Sequence, residues 1–138
     1  MRIGIRAHDM EQAPFEELVK NIHKKEFFCT HIALKKSIQE FSVDEEAMTP
    51  GMALYMKQVF AENKVDVAVL GCYLNLANPN PEKLRKIIDT YKAHIRFAAW
   101  LGCGVVGTET GAVNEEYRYE EANHSEEALQ IFIQNVKE

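Results

Sequence analysis

The chain has 138 residues, with 16 basic and 21 acidic side chains and a formal net charge of −5. A composition of 46% hydrophobic and 27% charged residues excludes a disordered or collagen-like chain. One domain over residues 1–138 is expected at this length, burying roughly 68% of the unfolded surface. The acidic balance argues against affinity built on neutralising nucleic-acid phosphates.

In chain order, the first element is a strand near 2–7, followed by a helix that Pro14 opens. Phe15, Leu18, Val19 and Ile22 recur there at helical spacing, with Glu16 and Glu17 in the first turn. Residues 27–34 (FFCTHIAL) form a second strand, apolar on both pleat faces and so suited to a sheet covered on both sides. The segment from Lys35 to Thr49 is less regular, with room for a short helix. Pro50 and Gly51 precede a helix through Met52, Leu54, Tyr55, Val59 and Phe60; Met48, Met52 and Met56 read as core filler. Residues 65–72 (VDVAVLGC) are the clearest strand.

Asn80 is placed to cap the next helix, with Pro81 at its first position. Leu84, Ile87, Ile88, Tyr91, Ile95 and Ala98 mark its apolar stripe, which stops at Gly102. A fourth strand follows near 104–109. After a polar loop, Ser125 caps a last helix with Leu129, Phe132, Ile133 and Val136 on one face. His23, His94 and His124 read as surface residues.

The order is βαβαβαβα, which means parallel pairing through right-handed crossovers and an α/β class. A flavodoxin-like doubly wound sheet of order 2-1-3-4 is the alternative to the order 1-2-3-4. Gly102-Cys103-Gly104-Val105-Val106-Gly107 matches the G-x-G-x-x-G pattern, but it follows a helix and runs into a strand. Nucleotide binding needs the reverse, so Gly102 reads as the residue that ends the helix. Cys29, Cys72 and Cys103 are odd in number and widely spaced, as expected of reduced thiols. The N-terminus lacks a long apolar run before Arg6 and Asp9, and no stretch approaches the ~20 residues of a bilayer span. A cytoplasmic location without membrane contact is the expectation.

Ligands of parallel α/β sheets bind at the C-terminal ends of the strands. Here the first strand ends in Arg6-Ala7-His8-Asp9 and the second carries His31. The third runs into Tyr73, Asn75 and Asn78, and the fourth ends in Thr108-Glu109-Thr110-Gly111. Glu109, expected in a partly buried site, is the candidate catalytic base, with an ion pair to Arg6 as its structural alternative. Arg6, His8, His31, Tyr73, Asn75 and Thr108 are candidate substrate-binding residues, suited to hydrogen-bonding a polyol.

Three segments carry a resemblance: Ile3 to Asp9 (IGIRAHD), Val69 to Leu76 (VLGCYLNL) and Leu101 to Gly111 (LGCGVVGTETG). In combination they resemble the sugar phosphate isomerase/epimerase family, which has the xylose isomerase-like TIM barrel and is related to the apurinic endonucleases. The resemblance implies aldose–ketose isomerisation or epimerisation of a small sugar or sugar phosphate. It also implies a divalent metal (Mn, Mg, Zn or Co), whose ligands are expected on strands beyond residue 138.

Two departures shape the expectations. Leu70 and Glu109 stand where the related endonucleases place metal-binding histidines, which weighs against an apurinic endonuclease-like DNA repair role. A closed barrel typically takes ~250 residues, so the chain is expected to be the N-terminal (βα)4 half of a TIM barrel, a fragment or truncated product. By itself it is then expected to be inactive, and to form a homo-oligomer that covers its open edges. A small-molecule-binding α/β domain without catalysis is the remaining alternative.

Overall fold

The computed structural model describes residues 3–138, so the expected strand start at Arg2 lies outside the described residues. Four strands, β1 (Ile5–Arg6), β2 (Cys29–Ile32), β3 (Asp66–Gly71) and β4 (Val106–Gly107), alternate with helices. The helices are α1 (Phe15–Lys24), α2 (Leu34–Ser37), α3 (Pro50–Glu62), α4 (Pro81–Leu101) and α5 (Glu126–Val136). The sheet order is β1-β2-β3-β4 with every ladder parallel, as a (βα)4 half-barrel requires. The flavodoxin-like order is therefore not the one adopted. The edge strands are two residues long, shorter than their apolar runs, because each has one neighbour to pair with.

By its contacts the chain divides into two compact units. The first comprises the chain up to Cys72 together with Ala93–Gly107, and it contains the whole sheet. Its core is one apolar cluster in which Phe15, Ile22, Ile32, Leu34, Met56, Leu70 and Phe97 are essentially sealed from solvent. Thr30 is buried on this face as well, its hydroxyl donating to the Ile5 carbonyl at 2.8 Å and so tying β2 to β1. Arg6, His31 and Val69 are in register across three strands, on the other face of the pleat. The β2–β3 ladder shifts register between Thr30 and His31, which pair with Val67 and Val69 and leave Ala68 of β3 as the extra residue.

The second unit comprises Tyr73–Lys92 and Thr108–Glu138. Asn80 caps α4 as its sequence position implies, its carbonyl accepting from the N–H groups of Glu82 and Lys83. Ser125 caps α5 in the same way through Ala128. The face assigned to α5 is only partly covered: Ala128 is buried, while Leu129 and Val136 are exposed.

Two local expectations change, and the irregular segment after β2 holds its short helix as expected. Thr49 caps α3, and Pro50 and Gly51 lie inside its first turn rather than before it. His94 is buried and Ile95 is 57% exposed, because the buried stripe of α4 runs through Tyr91, His94 and Phe97 and leaves Ile95 outside. The region from Lys35 to Thr49 holds the short α2 and one 3-10 turn at Glu45–Ala47.

The glycine-rich segment has a local explanation. Gly102 sits at φ +86°, and the N–H of Cys103 reaches back to the Ala98 carbonyl at 2.9 Å, the closure of a left-handed helix exit. The exits of α1 and α3 make the same closure, Phe27 to Ile22 and Val65 to Phe60, with Glu26 and Lys64 at positive φ where glycine is favoured. Lys64→Gly is accordingly expected to raise stability by up to about 1 kcal/mol, strain relief outweighing the added chain entropy. An unchanged or lowered urea midpoint would show that Lys64 is not strained.

Candidate functional site

Within the first unit, the C-terminal ends of β1 and β2 bring four basic side chains together. Arg6 and His31 are register partners on adjacent strands. The chain then turns through a 3-10 segment, Ala7–Asp9, which places His8 beside His31. The two imidazoles meet edge to face, with ring centroids 5.7 Å apart and planes at 89°. Asp9 holds Arg6 by two hydrogen bonds, from Nε at 2.8 Å and from the guanidinium terminus at 3.2 Å.

Burial lowers the pKa of His8 below the ordinary histidine value; Asp9 opposes this, and Arg6 and Lys36 reinforce it. Burial also lowers that of His31, reinforced by His8, Arg6 and Lys36. Both rings are therefore neutral at neutral pH, each with one donor and one acceptor nitrogen. The buried Nδ1 of His8 has no hydrogen-bond partner. Lys36, on α2, belongs to this electrostatic group but was not among the residues singled out from sequence. Nothing in its spacing indicates that its short helix follows β2 closely enough to face the histidines.

In the second unit, Asn75 is buried and serves the protein itself. Its side-chain carbonyl accepts from the N–H groups of Ala77 at 3.1 Å and Ala112 at 2.8 Å, and its amide donates to the Asn114 carbonyl at 3.0 Å. Three of its four hydrogen-bonding positions are thus spent on joining the segment after β3 to the segment after β4. Gly111 makes room for this joint: it has φ +89°, and a Cβ there would lie 2.7 Å from the Asn75 carbonyl oxygen. Asn123 fastens the next stretch, accepting from Val113 and donating to the Arg118 carbonyl. A cavity of about 280 Å³ lies between this loop and α5, with Thr110, His124, Ser125 and Glu126 at its polar side and Val113, Leu129 and Phe132 at its apolar side.

Tyr73 is half-buried, and Thr108 and Glu109 are exposed. The Thr108 hydroxyl shares a hydrogen bond with the Tyr91 phenol, which also accepts from the Leu74 N–H at 3.2 Å. Glu109 is not partly buried as expected, because the short β4 ends at Gly107, two residues before it. Nor is the ion pair weighed for it the contact that holds it. The Tyr117 phenol donates to its carboxylate at 2.7 Å, while Arg6 is engaged by Asp9. Burial and the Glu109 charge push the Tyr117 phenol well above the usual tyrosine range, so it remains a donor. Tyr117, at φ 55° within a polar loop, gave no signal in the sequence, since a lone aromatic in such a loop has no period to mark it.

The donor set for the divalent ion can be tested directly. Among the described residues, no group of three or more His, Cys, Asp or Glu side chains is arranged to hold a metal ion. The His8–His31 pair has Arg6 and Lys36 as electrostatic neighbours, which repel a cation. The residues present do not fit a divalent site. Among them, no helix is long and apolar enough to cross a membrane.

A family model for the xylose isomerase-like TIM barrel matches residues 32–138. The chain belongs to that family. No curated protein matches the sequence. Among solved barrels, a D-psicose 3-epimerase crystallised in the presence of D-fructose superposes with a TM-score of 0.70 at 11% identity, over 99% of this chain and 46% of its own. The D-psicose 3-epimerase of Clostridium cellulolyticum H10 with D-tagatose gives 0.71 at 14% identity, over 99% and 46%. A xylose isomerase domain protein from Planctomyces limnophilus gives 0.64 at 14%, over 98% and 47%. At these identities the likeness concerns the barrel fold, and the chain spans about half the length of each of these structures.

Two outcomes follow for this half of a barrel. Asn75→Ala strands two backbone N–H groups away from water and is expected to cost about 1–3 kcal/mol in urea unfolding; a cost below 0.5 kcal/mol, roughly that of a neutral surface change, would refute the joint. Because His8 and His31 have lowered pKa values in the folded state, the unfolded chain binds more protons between those values and about 6.5. Their contribution to stability is present above pH 6.5 and is lost as pH falls through the folded values. The double variant His8→Gln/His31→Gln should therefore show a flatter decline in unfolding free energy below pH 7 than the parent; parallel curves would refute it.

Proposed function

We propose that this chain binds a small sugar at the C-terminal strand ends and belongs to an aldose–ketose isomerase or epimerase. The observation that carries the reading is the placement of Arg6, His8 and His31 at the ends of two register-paired parallel strands. Tyr73, Thr108 and Glu109 follow the ends of the other two strands. Membership of the xylose isomerase-like family and likeness to epimerase folds support it.

In this reading the neutral imidazoles of His8 and His31 hydrogen-bond sugar hydroxyls, His8 through the nitrogen other than its buried Nδ1. Glu109, exposed and oriented by Tyr117, has by itself the chemistry to take a proton from the carbon next to a sugar carbonyl and return it to a neighbouring carbon. Asn75 positions the loop that follows β4 rather than contacting substrate. The divalent ion implied by the resemblance has no ligand set among these residues, so no step is assigned to it. A DNA-directed role is disfavoured by Glu109, Glu115, Glu116, Glu120 and Glu121, which crowd the segment after β4 and repel a phosphate backbone.

The test is a titration of the 138-residue chain with D-fructose, followed through the imidazole C–H signals of His8 and His31. Saturable shifts with a dissociation constant of about 1 mM are expected. Arg6→Ala should weaken binding about tenfold or more, the loss of a charged hydrogen bond. No movement of either histidine by D-fructose, D-tagatose or a phosphorylated ketose would overturn the sugar reading. Net isomerisation by a single copy of this chain is not expected, because its four strand ends are half of those in a closed eight-stranded barrel.

A further inference from the structure

We propose that the 138-residue chain pairs with a second copy of itself, β4 of one copy docking beside β1 of the other at two symmetry-related seams. The proposal rests on the sheet and stands apart from the sugar reading. β1 and β4 are the two edges of the described sheet, and an open edge presents backbone donors and acceptors that seek a partner. With all three ladders parallel in chain order, any strand that continues the sheet beyond β4 as a parallel barrel must itself run parallel to β4. β1 of a second copy meets that demand. One two-fold axis generates both seams together, and the ring 1-2-3-4-1-2-3-4 has no edge left.

The side chains flanking the two edges select this seam over others. Ile3, two residues before β1, is 62% exposed, and Val105, immediately before β4, is 50% exposed. Arg6 ends β1, and the exposed Glu109 follows β4 by two residues. Parallel docking of β4 on β1 sets Arg6 near Glu109 at the C-terminal end of the seam, and the exposed Ile3 and Val105 at its N-terminal end fall on opposite faces of the pleat. A β1–β1 seam gives Arg6 no acidic partner from β4, and a β4–β4 seam gives Glu109 no basic partner from β1. An antiparallel β4–β1 seam opposes each charge to an aliphatic side chain. Arg6 already gives two N–H groups to Asp9, which leaves three of its five donors for a carboxylate from the second copy.

The experiment is a mass measurement by light scattering over a range of protein concentrations. A particle of twice the 15.8 kDa chain mass is expected. Arg6→Glu and Glu109→Arg should each weaken pairing at least tenfold, and the two combined should restore it. Val105→Lys, read separately, should weaken it by placing a charge beside the β4 edge, which keeps the test open if a charge-reversed variant fails to fold. A monomer at every concentration, a polymer that lengthens with concentration, or a charge swap that fails to rescue would each overturn the proposal. A monomer that still binds D-fructose would overturn the pairing alone and leave the sugar reading standing.

Discussion

Parallel pairing in chain order is the constraint on which the rest of this molecule depends. Because β1, β2, β3 and β4 run the same way, each strand delivers its following residue to one edge of the sheet. The helices must then return the chain to the opposite edge, and they bury one face of the sheet as they do so. Thr30, Ile32 and Leu70 are sealed on that face, while Arg6 and His31 take the other pleat direction. The same geometry that forms the core therefore brings Arg6 and His31 together on the opposite face.

The polar residues at and beyond the strand ends divide into those that build the loops and those whose charge and orientation are set by their neighbours. Asn75 and Asn123 are builders: their amides replace water for backbone groups that the irregular loops would otherwise leave unpaired. Gly111 belongs with them, since both its positive φ and the nearness of Asn75 exclude a side chain there. His8, His31 and Glu109 are different in kind. Their neighbours set charge and orientation: the histidines are held neutral by burial and neighbouring cations, and the carboxylate is steadied by one phenol.

The strands were legible because each is a short apolar run between polar segments, and the helix starts because Asn80 and Ser125 carry capping chemistry in the sequence itself. Even the misleading glycine motif was readable, since a helix precedes it and a strand follows. What misled was phase and exposure. The stripe of α4 reads equally well through Ile95 or His94, which are adjacent, and only packing decides that the histidine goes inward. The exposure of Glu109 depends on where β4 stops, and that is fixed by pairing with β3, not by the apolar run. Lys36 and Tyr117 had no sequence signal at all, because each acts on a residue brought near by the fold.

The sequence by itself determined the alternation of strands and helices, the α/β class and the set of polar residues at the strand ends, because period, capping and turn chemistry are local. Only the tertiary structure decided the order 1-2-3-4 over 2-1-3-4, the contact of His8 with His31, the commitment of Asn75 to the backbone and the partner of Glu109. Each of these is a contact between residues that local rules do not connect. Burial and hydrogen-bond satisfaction choose among such contacts only once the chain has closed on itself.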